Sequence, residues 1–156
     1  MEQELIKTFY QAFKDLDAEA MAACYHEDIV FEDPAFGVLK GEHAGNMWRM
    51  LCATQKGQNF VVEASNVQGA NKKGSAHWEA HYLFSQTGRK VHNKIDAKFE
   101  FKDGKIIKHT DSFSLHKWAQ QALGLKGFIL GWTGFFKTKL HAQTNKLLAK
   151  FESKLK

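Results

Sequence analysis

Proline, cysteine and long apolar runs are all scarce in this 156-residue chain. Pro34 is the single proline, and no segment is repetitive or of low complexity. That removes proline-rich linkers and repeat arrays from consideration. The two cysteines, Cys24 and Cys52, fall on helical patterns without metal-ligand spacing. They read as reduced core thiols and point to a cytoplasmic protein. The most apolar stretch is about ten residues long, half of the ~20 that a helix needs to cross a bilayer. Met1-Glu2-Gln3-Glu4 is acidic, unlike the start of a signal peptide.

Aromatic side chains are abundant. Thirteen Phe and four Trp supply enough bulk to fill a core or line a pocket in what reads as one domain. The net charge of +5 is unevenly spread. Residues 126–156 carry seven Lys and one Glu, a net +6, which leaves residues 1–125 at −1. A nucleic-acid-binding domain presents a basic face on its body. Here the basicity belongs to the tail, so no nucleic-acid partner is expected.

Periodicity divides the chain. Leu5, Ile6, Phe9, Tyr10 and Phe13 have helical spacing. Asp17 then fits as the N-cap of a second helix. Ile29 to Phe31 read as a short strand ending at Pro34. Gly41 to Cys52 form another helix, with Met47, Trp48 and Leu51 on one side. After Gly57 the period becomes two. Strands are expected at 60–67, 76–84, 91–101 and 106–113. Trp78, Ala80, Tyr82 and Phe84 lie on one face of the second, and Ile95, Ala97, Phe99 and Phe101 on one face of the third. Lys102-Asp103-Gly104-Lys105 is a hairpin signal. On the last strand Ile107, His109, Asp111 and Phe113 share a face. Leu115 to Leu123 are helical. Helices set apart from an antiparallel meander mean α+β.

From Gly124 the pattern changes. Gly124, Gly127, Gly131 and Gly134 interleave with Phe128, Ile129, Leu130, Trp132, Phe135 and Phe136. Leu140, Leu147, Leu148, Phe151 and Leu155 then outline an amphipathic helix with lysines opposite. Two domain-level segments follow, 1–123 and 124–156. The second is expected to pack on the first or to exchange across a dimer. Peripheral contact with an anionic membrane is the alternative.

The proline sits in Glu32-Asp33-Pro34-Ala35-Phe36-Gly37. Pro34 fixes its own φ and pushes Asp33 toward an extended conformation. Asp33 is therefore a positioned carboxylate and a candidate general base. The local alternative is a plain Asp-Pro turn.

The order of elements resembles the NTF2-like superfamily (SnoaL-like, ketosteroid-isomerase-like). Three segments carry the likeness: FYQAFKDLDAEAMAACYHEDIVFEDPAFG, LKGEHAGNMW and FEFKDGKIIKHTDSFSL. It covers roughly residues 3–122. The resemblance implies a cone-shaped α+β fold, a curved antiparallel sheet wrapped by N-terminal helices around a pocket, and a homodimer. It places Asp33 where ketosteroid isomerases keep their base. The oxyanion-hole tyrosine of that family falls on Phe9, beside Tyr10, and the second acid falls on Asp96. Asp96 shares its strand face with lysines and a glutamate, so it reads as solvated and the hole is incomplete. Asp111 aligns with the inward acid of limonene-epoxide-hydrolase-like and cyclase-like relatives. The Arg-x-Asp pair of the epoxide hydrolases is replaced by Glu79-Ala80-His81.

The candidate catalytic residues are thus Asp33, His109 and Asp111. An imidazole beside a carboxylate can shuttle protons near neutrality; a satisfied buried pair in the pocket wall is the structural alternative. Tyr10, Phe36, Trp48, Trp78, Tyr82 and Phe113 are the candidate ligand-binding wall of an apolar small-molecule site. The chemistry implied is isomerase, cyclase or hydratase, with a non-catalytic ligand-binding or dimeric module as alternative. Eight histidines raise the question of a metal. His77-x-Glu79-x-His81 sets three ligand-type side chains on one strand face, opposite the aromatic face. One strand supplies no closed coordination set, so no metal and no cofactor is expected.

Overall fold

The computed structural model describes residues 1–131 and 133–155; Trp132 of the glycine-aromatic run and the terminal Lys156 lie outside the described residues. Helix α1 (Glu2–Lys14) buries Ile6, Phe9, Tyr10 and Phe13, four members of the helical stripe. Asp17 caps α2 (Ala18–Ala23) by accepting a hydrogen bond from the Ala20 amide at 3.1 Å. Strand β1 (Tyr25–Asp33) follows, then β2 (Gly37–Lys40) and α3 (Glu42–Gln55). The meander is β3 (Val61–Ala70), β4 (Lys73–Phe84), β5 (Arg89–Lys102) and β6 (Lys105–Ser112). Helices α4 (Leu115–Leu123), α5 (Leu125–Leu130) and α6 (Gly134–Lys154) complete the chain.

The six strands form one open sheet in the order β2-β1-β6-β5-β4-β3. The meander pairs antiparallel throughout, as its alternation predicts. Asp103 and Gly104 both take positive φ, 53° and 73°, the geometry that a two-residue hairpin turn demands. The fold class is α+β, a curved, unclosed sheet with helices around it.

Several expectations need correction. β1 runs nine residues rather than three, because it pairs on both sides: antiparallel with β2 and parallel with β6. Parallel pairing joins residues about 80 positions apart, and no local pattern announces it. β2 was not anticipated; its four residues are held by pairing with Val30–Asp33. On β6, Ile106 rather than Ile107 is buried beside His109 and Asp111, because a bulge at this point shifts the register against β5. Leu125–Leu130 form a short helix where only a glycine-aromatic run was visible.

The core lies between the inner sheet face and α1 to α3, and includes Phe9, Phe13, Phe31, Trp48, Trp78, Ile95 and Phe99. A smaller cluster forms around Val91, Trp118, Ala119 and Ala122, where α4 covers the sheet's far end. Tyr82 and Phe113 touch both clusters. Among the described residues no helix is long and apolar enough to cross a membrane.

Candidate functional site

A continuous polar chain crosses the largely apolar inner face of the sheet. β6 places His109 and Asp111 two residues apart on the inward side, both buried. His109 Nε2 lies 2.9 Å from Asp111 Oδ1. His109 Nδ1 lies 2.8 Å from the hydroxyl of Tyr25, at the start of β1. Trp48 Nε1, from α3, donates to that same hydroxyl at 2.8 Å. Trp78 Nε1, from β4, donates to Asp111 Oδ1 at 3.3 Å. The chain therefore runs Trp48–Tyr25–His109–Asp111–Trp78, drawn from four elements.

Hydrogen-bond accounting sets its polarity. An indole N–H can only donate, so the Tyr25 oxygen accepts from Trp48. The Tyr25 proton is then available to His109 Nδ1, and His109 Nε2–H faces the Asp111 carboxylate. Each polar atom on the path has a partner, which is what a low-dielectric interior demands. Aromatic rings box in the imidazole. Phe9, Phe31 and Phe99 lie 5.4, 5.1 and 4.5 Å from its centroid, and Trp48 stacks on it at 6.2 Å.

Among the described residues, one buried side-chain atom departs from this rule. The hydroxyl of Tyr10 is buried without a hydrogen-bond partner. Tyr10 packs against Trp78 and Phe99, whose β-strands also carry the polar chain and its neighbours. Burial holds its ionisation well above the ordinary tyrosine value, and the Asp111 charge adds to the effect. Phe9, at the position the resemblance assigned to an oxyanion tyrosine, instead packs on Tyr25, Trp48 and His109.

Asp33 ends β1, as the Asp-Pro pattern implies. Its geometry is that of the turn alternative. Its Oδ1 accepts from the amides of Ala35 at 3.0 Å and Phe36 at 2.6 Å, so it does organise a turn. Its carboxyl group is nevertheless desolvated. Burial pushes its pKa up to about 7, against those two amide donors, with the Asp111 and Glu32 charges adding to the rise. Asp33 and Asp111 are thus electrostatically coupled without touching.

Helix α6 lies over the Asp33 turn. His141 Nε2, Thr144 Oγ1 and Asn145 Nδ2 reach the backbone carbonyls of Pro34, Ala35 and Phe36 at 2.7, 2.9 and 3.0 Å. Further along, Glu152 accepts from Asn46 and lies against His43, each at 2.7 Å, and Leu148 is buried in the main core. Phe136 and Leu140 pack on the α4 cluster. The helix therefore spans from α4 across the Asp33 turn to α3.

Of the anticipated wall, Tyr10, Phe36, Trp48 and Trp78 are buried in the main core, while Tyr82 and Phe113 are half-buried between the clusters. Tyr82 accepts from Trp118 Nε1 at 2.8 Å. Two surface grooves of about 400 and 390 Å³ lie elsewhere, at the β3–β4 hairpin and at the α4–α5 corner. None of the anticipated wall residues lines either groove. Asp96 is exposed, as its lysine-rich strand face implies. Tyr25 was not singled out as a site residue. Only its parallel pairing with β6 brings it to His109, and its own strand carries no signal of that.

A SnoaL-like domain matches residues 6–109. The chain belongs to the SnoaL-like domain family. No curated protein matches it. Solved structures with the same fold include one named a polyketide cyclase from Xanthomonas campestris pv. campestris. It is 21% identical, the match covers 76% of this chain and 93% of that one, and the TM-score is 0.60. A LEH-like epoxide hydrolase of M. tuberculosis is 19% identical over 81% of this chain and 93% of its own, with a TM-score of 0.61. A Catenulispora acidiphila protein with a ketosteroid isomerase-like fold, in complex with trimethylamine, is 16% identical, with coverage of 83% and 97% and a TM-score of 0.64. At these identities the likeness is one of fold.

Proposed function

We propose that this SnoaL-like protein is an acid–base enzyme acting on a small, apolar, carbonyl-bearing molecule, of the isomerase, cyclase or hydratase type. Asp111 is the group that takes and returns the proton. His109 holds it in place and supplies the adjoining hydrogen. The Tyr10 hydroxyl is the donor for the substrate oxygen as charge builds there, a role for which an unpartnered buried O–H is suited. Asp33 is a second carboxyl at the α6 side of the interior, with a pKa near the working range of a general acid or base. The observation that carries the reading is the five-residue polar chain crossing a largely apolar interior. Its hydrogen bonds engage only Oδ1 of Asp111 among the described residues, so Oδ2 remains for chemistry. The named activities of the polyketide cyclase and the epoxide hydrolase are consistent with such a site.

The test is hydrogen–deuterium exchange at carbon. A panel of cyclic and aromatic ketones in D2O is followed by NMR with and without the protein. Wild type should catalyse exchange next to the carbonyl, and Asp111→Asn should lose at least ~100-fold, the usual scale of a general base. No exchange with any ketone, or exchange indifferent to Asp111→Asn, removes the reading. A second reading is a non-catalytic ligand-binding module. It is favoured by one observation: His109 and Asp111 are closed to solvent, with side-chain exposures of 0% and 3%. Ligand-induced thermal stabilisation without any exchange would select it.

A further inference from the structure

The outer face of the sheet carries a second cluster, remote from the polar chain and on the opposite side of the strands. His81 and His92 face each other directly across the β4–β5 pair. Their rings stack with centroids 3.9 Å apart and planes 22° apart. Glu79, two residues before His81, shares their face. Its Oε1 lies 2.6 Å from His92 Nε2. One donor atom from each of Glu79, His81 and His92 lies within 4.8 Å of the others. The second carboxylate oxygen is held from the other side. His77 Nε2 meets Glu79 Oε2 at 2.8 Å, and His77 Nδ1 meets Asp96 Oδ1 at 2.9 Å.

We propose that Glu79, His81 and His92 form a binding site for a divalent transition-metal ion of the Zn2+ class, with His77 and Asp96 orienting Glu79. Two imidazoles and a carboxylate are a donor set that such an ion takes, leaving one position for water. Calcium or magnesium would demand mostly oxygen donors. The Asp96–His77–Glu79 chain fixes a ligand from behind, as the outer partners of metal sites do. Metal–ligand bonds of about 2.0–2.2 Å leave no room for an ion between donors in direct contact, so Glu79 Oε1 and His92 Nε2, now 2.6 Å apart, must part to admit it. His81 is exposed and can turn inward. The ion takes the place of the hydrogen between His92 Nε2 and Glu79 Oε1, and the neutral imidazole that ligates it carries its one ring hydrogen on Nδ1. The proposed set differs from the single-strand pattern His77-x-Glu79-x-His81 in its third member, His92. It comes from β5, and His77 stands behind the site.

The full-length chain, freed of metal with chelator, is titrated with zinc sulfate by calorimetry at neutral pH. One saturable equivalent is expected. His81→Ala and His92→Ala should each lower the affinity at least tenfold, and His77→Ala by about 10–100-fold, the scale for loss of an orienting partner. His43→Ala, on α3, should change nothing. Cobalt in place of zinc should give visible absorption bands of a tetrahedral ion in wild type and not in His92→Ala. All these side chains are at least partly open to solvent, so folding of the variants is checked by circular dichroism. Absence of a saturable zinc heat, or a titration that His81→Ala and His92→Ala leave unchanged, overturns the proposal.

Discussion

His109 Nε2 lies 2.9 Å from Asp111 Oδ1, and the two residues sit two positions apart on one strand with neither side chain open to solvent. Such a pair costs desolvation that its mutual attraction only partly returns. Removing one member leaves the other buried without its partner in the pair, Asp111 held only by Trp78 or His109 only by Tyr25. His109→Phe, in a box already lined by Phe9, Phe31 and Phe99, should therefore lower unfolding free energy by about 2–4 kcal/mol. The double variant His109→Phe/Asp111→Leu removes both members of the pair but strands the Tyr25 O–H and the Trp78 N–H, so it should recover only part of that loss. Denaturant unfolding of the three proteins checks this. A double variant as unstable as the single would mean that the pair is retained for stability rather than for chemistry.

Tyr25 is the hinge of the polar chain, since its hydroxyl both accepts from Trp48 and faces His109 Nδ1. Tyr25→Phe keeps the ring and its stacking on Phe9. It strands two buried groups, an indole N–H and an imidazole nitrogen. The expected cost is about 1–3 kcal/mol in denaturant unfolding. His109 loses the partner that selects its tautomer, so its ring-nitrogen NMR signals should change pattern. Unchanged nitrogen signals would show that Asp111 alone sets the tautomer.

The two halves of this site differ in legibility for physical reasons. Strand alternation is a local property, so the inward Ile95, Ala97 and Phe99 and the inward His109 and Asp111 are visible in sequence. The Asp103-Gly104 turn is visible because positive φ selects its residues. Pairing between distant strands is not local. Tyr25 reaches His109 only through the parallel β1–β6 ladder, 84 residues away in sequence. The bulge at Ile107 is equally silent, because an apolar residue follows an apolar residue. The outer cluster was half visible. His77, Glu79 and His81 alternate along one strand, but His92 joins them only through the register set by the turn at residues 85–88. A helix can be recognised in the tail, whereas its three side-chain contacts with the Pro34–Phe36 carbonyls depend on tertiary placement.

Asp33 should leave a signature in the pH dependence of stability. Its carboxyl rises from an ordinary 3.8 to about 7 in the folded protein. Between those values the folded state holds a proton that the unfolded state has lost, so the slope of unfolding free energy against pH is negative. Asp33 therefore favours folding at low pH, and that contribution is lost as pH rises through about 4 to 7. Asp33→Asn keeps an oxygen to accept from Ala35 and Phe36 and cannot ionise. At pH 8 it should be more stable than wild type by on the order of 1–4 kcal/mol, and near pH 4 the two should converge. Unfolding curves of both proteins from pH 4 to 8 make the comparison, and a wild-type-minus-variant difference that stays flat would show that Asp33 ionises at its ordinary pKa.

The last prediction concerns α6. Three side chains hold it to the turn behind Asp33, through His141 on Pro34, Thr144 on Ala35 and Asn145 on Phe36. Each neutral hydrogen bond contributes about 1 kcal/mol net. A variant carrying His141→Ala, Thr144→Val and Asn145→Ala should thus lose roughly 3 kcal/mol locally, on the order of 100-fold in the opening equilibrium of the helix. Amide exchange followed by mass spectrometry should show faster exchange in α6 and in residues 34–37, with β5 and β6 unchanged, because those strands are held by the sheet ladder and not by α6. If the interior is reached from this side, the same variant should bind apolar ketones faster while keeping Asp111-dependent exchange at carbon. Faster amide exchange spread evenly over the whole sheet would instead make α6 part of the global folding unit, and would place substrate entry elsewhere.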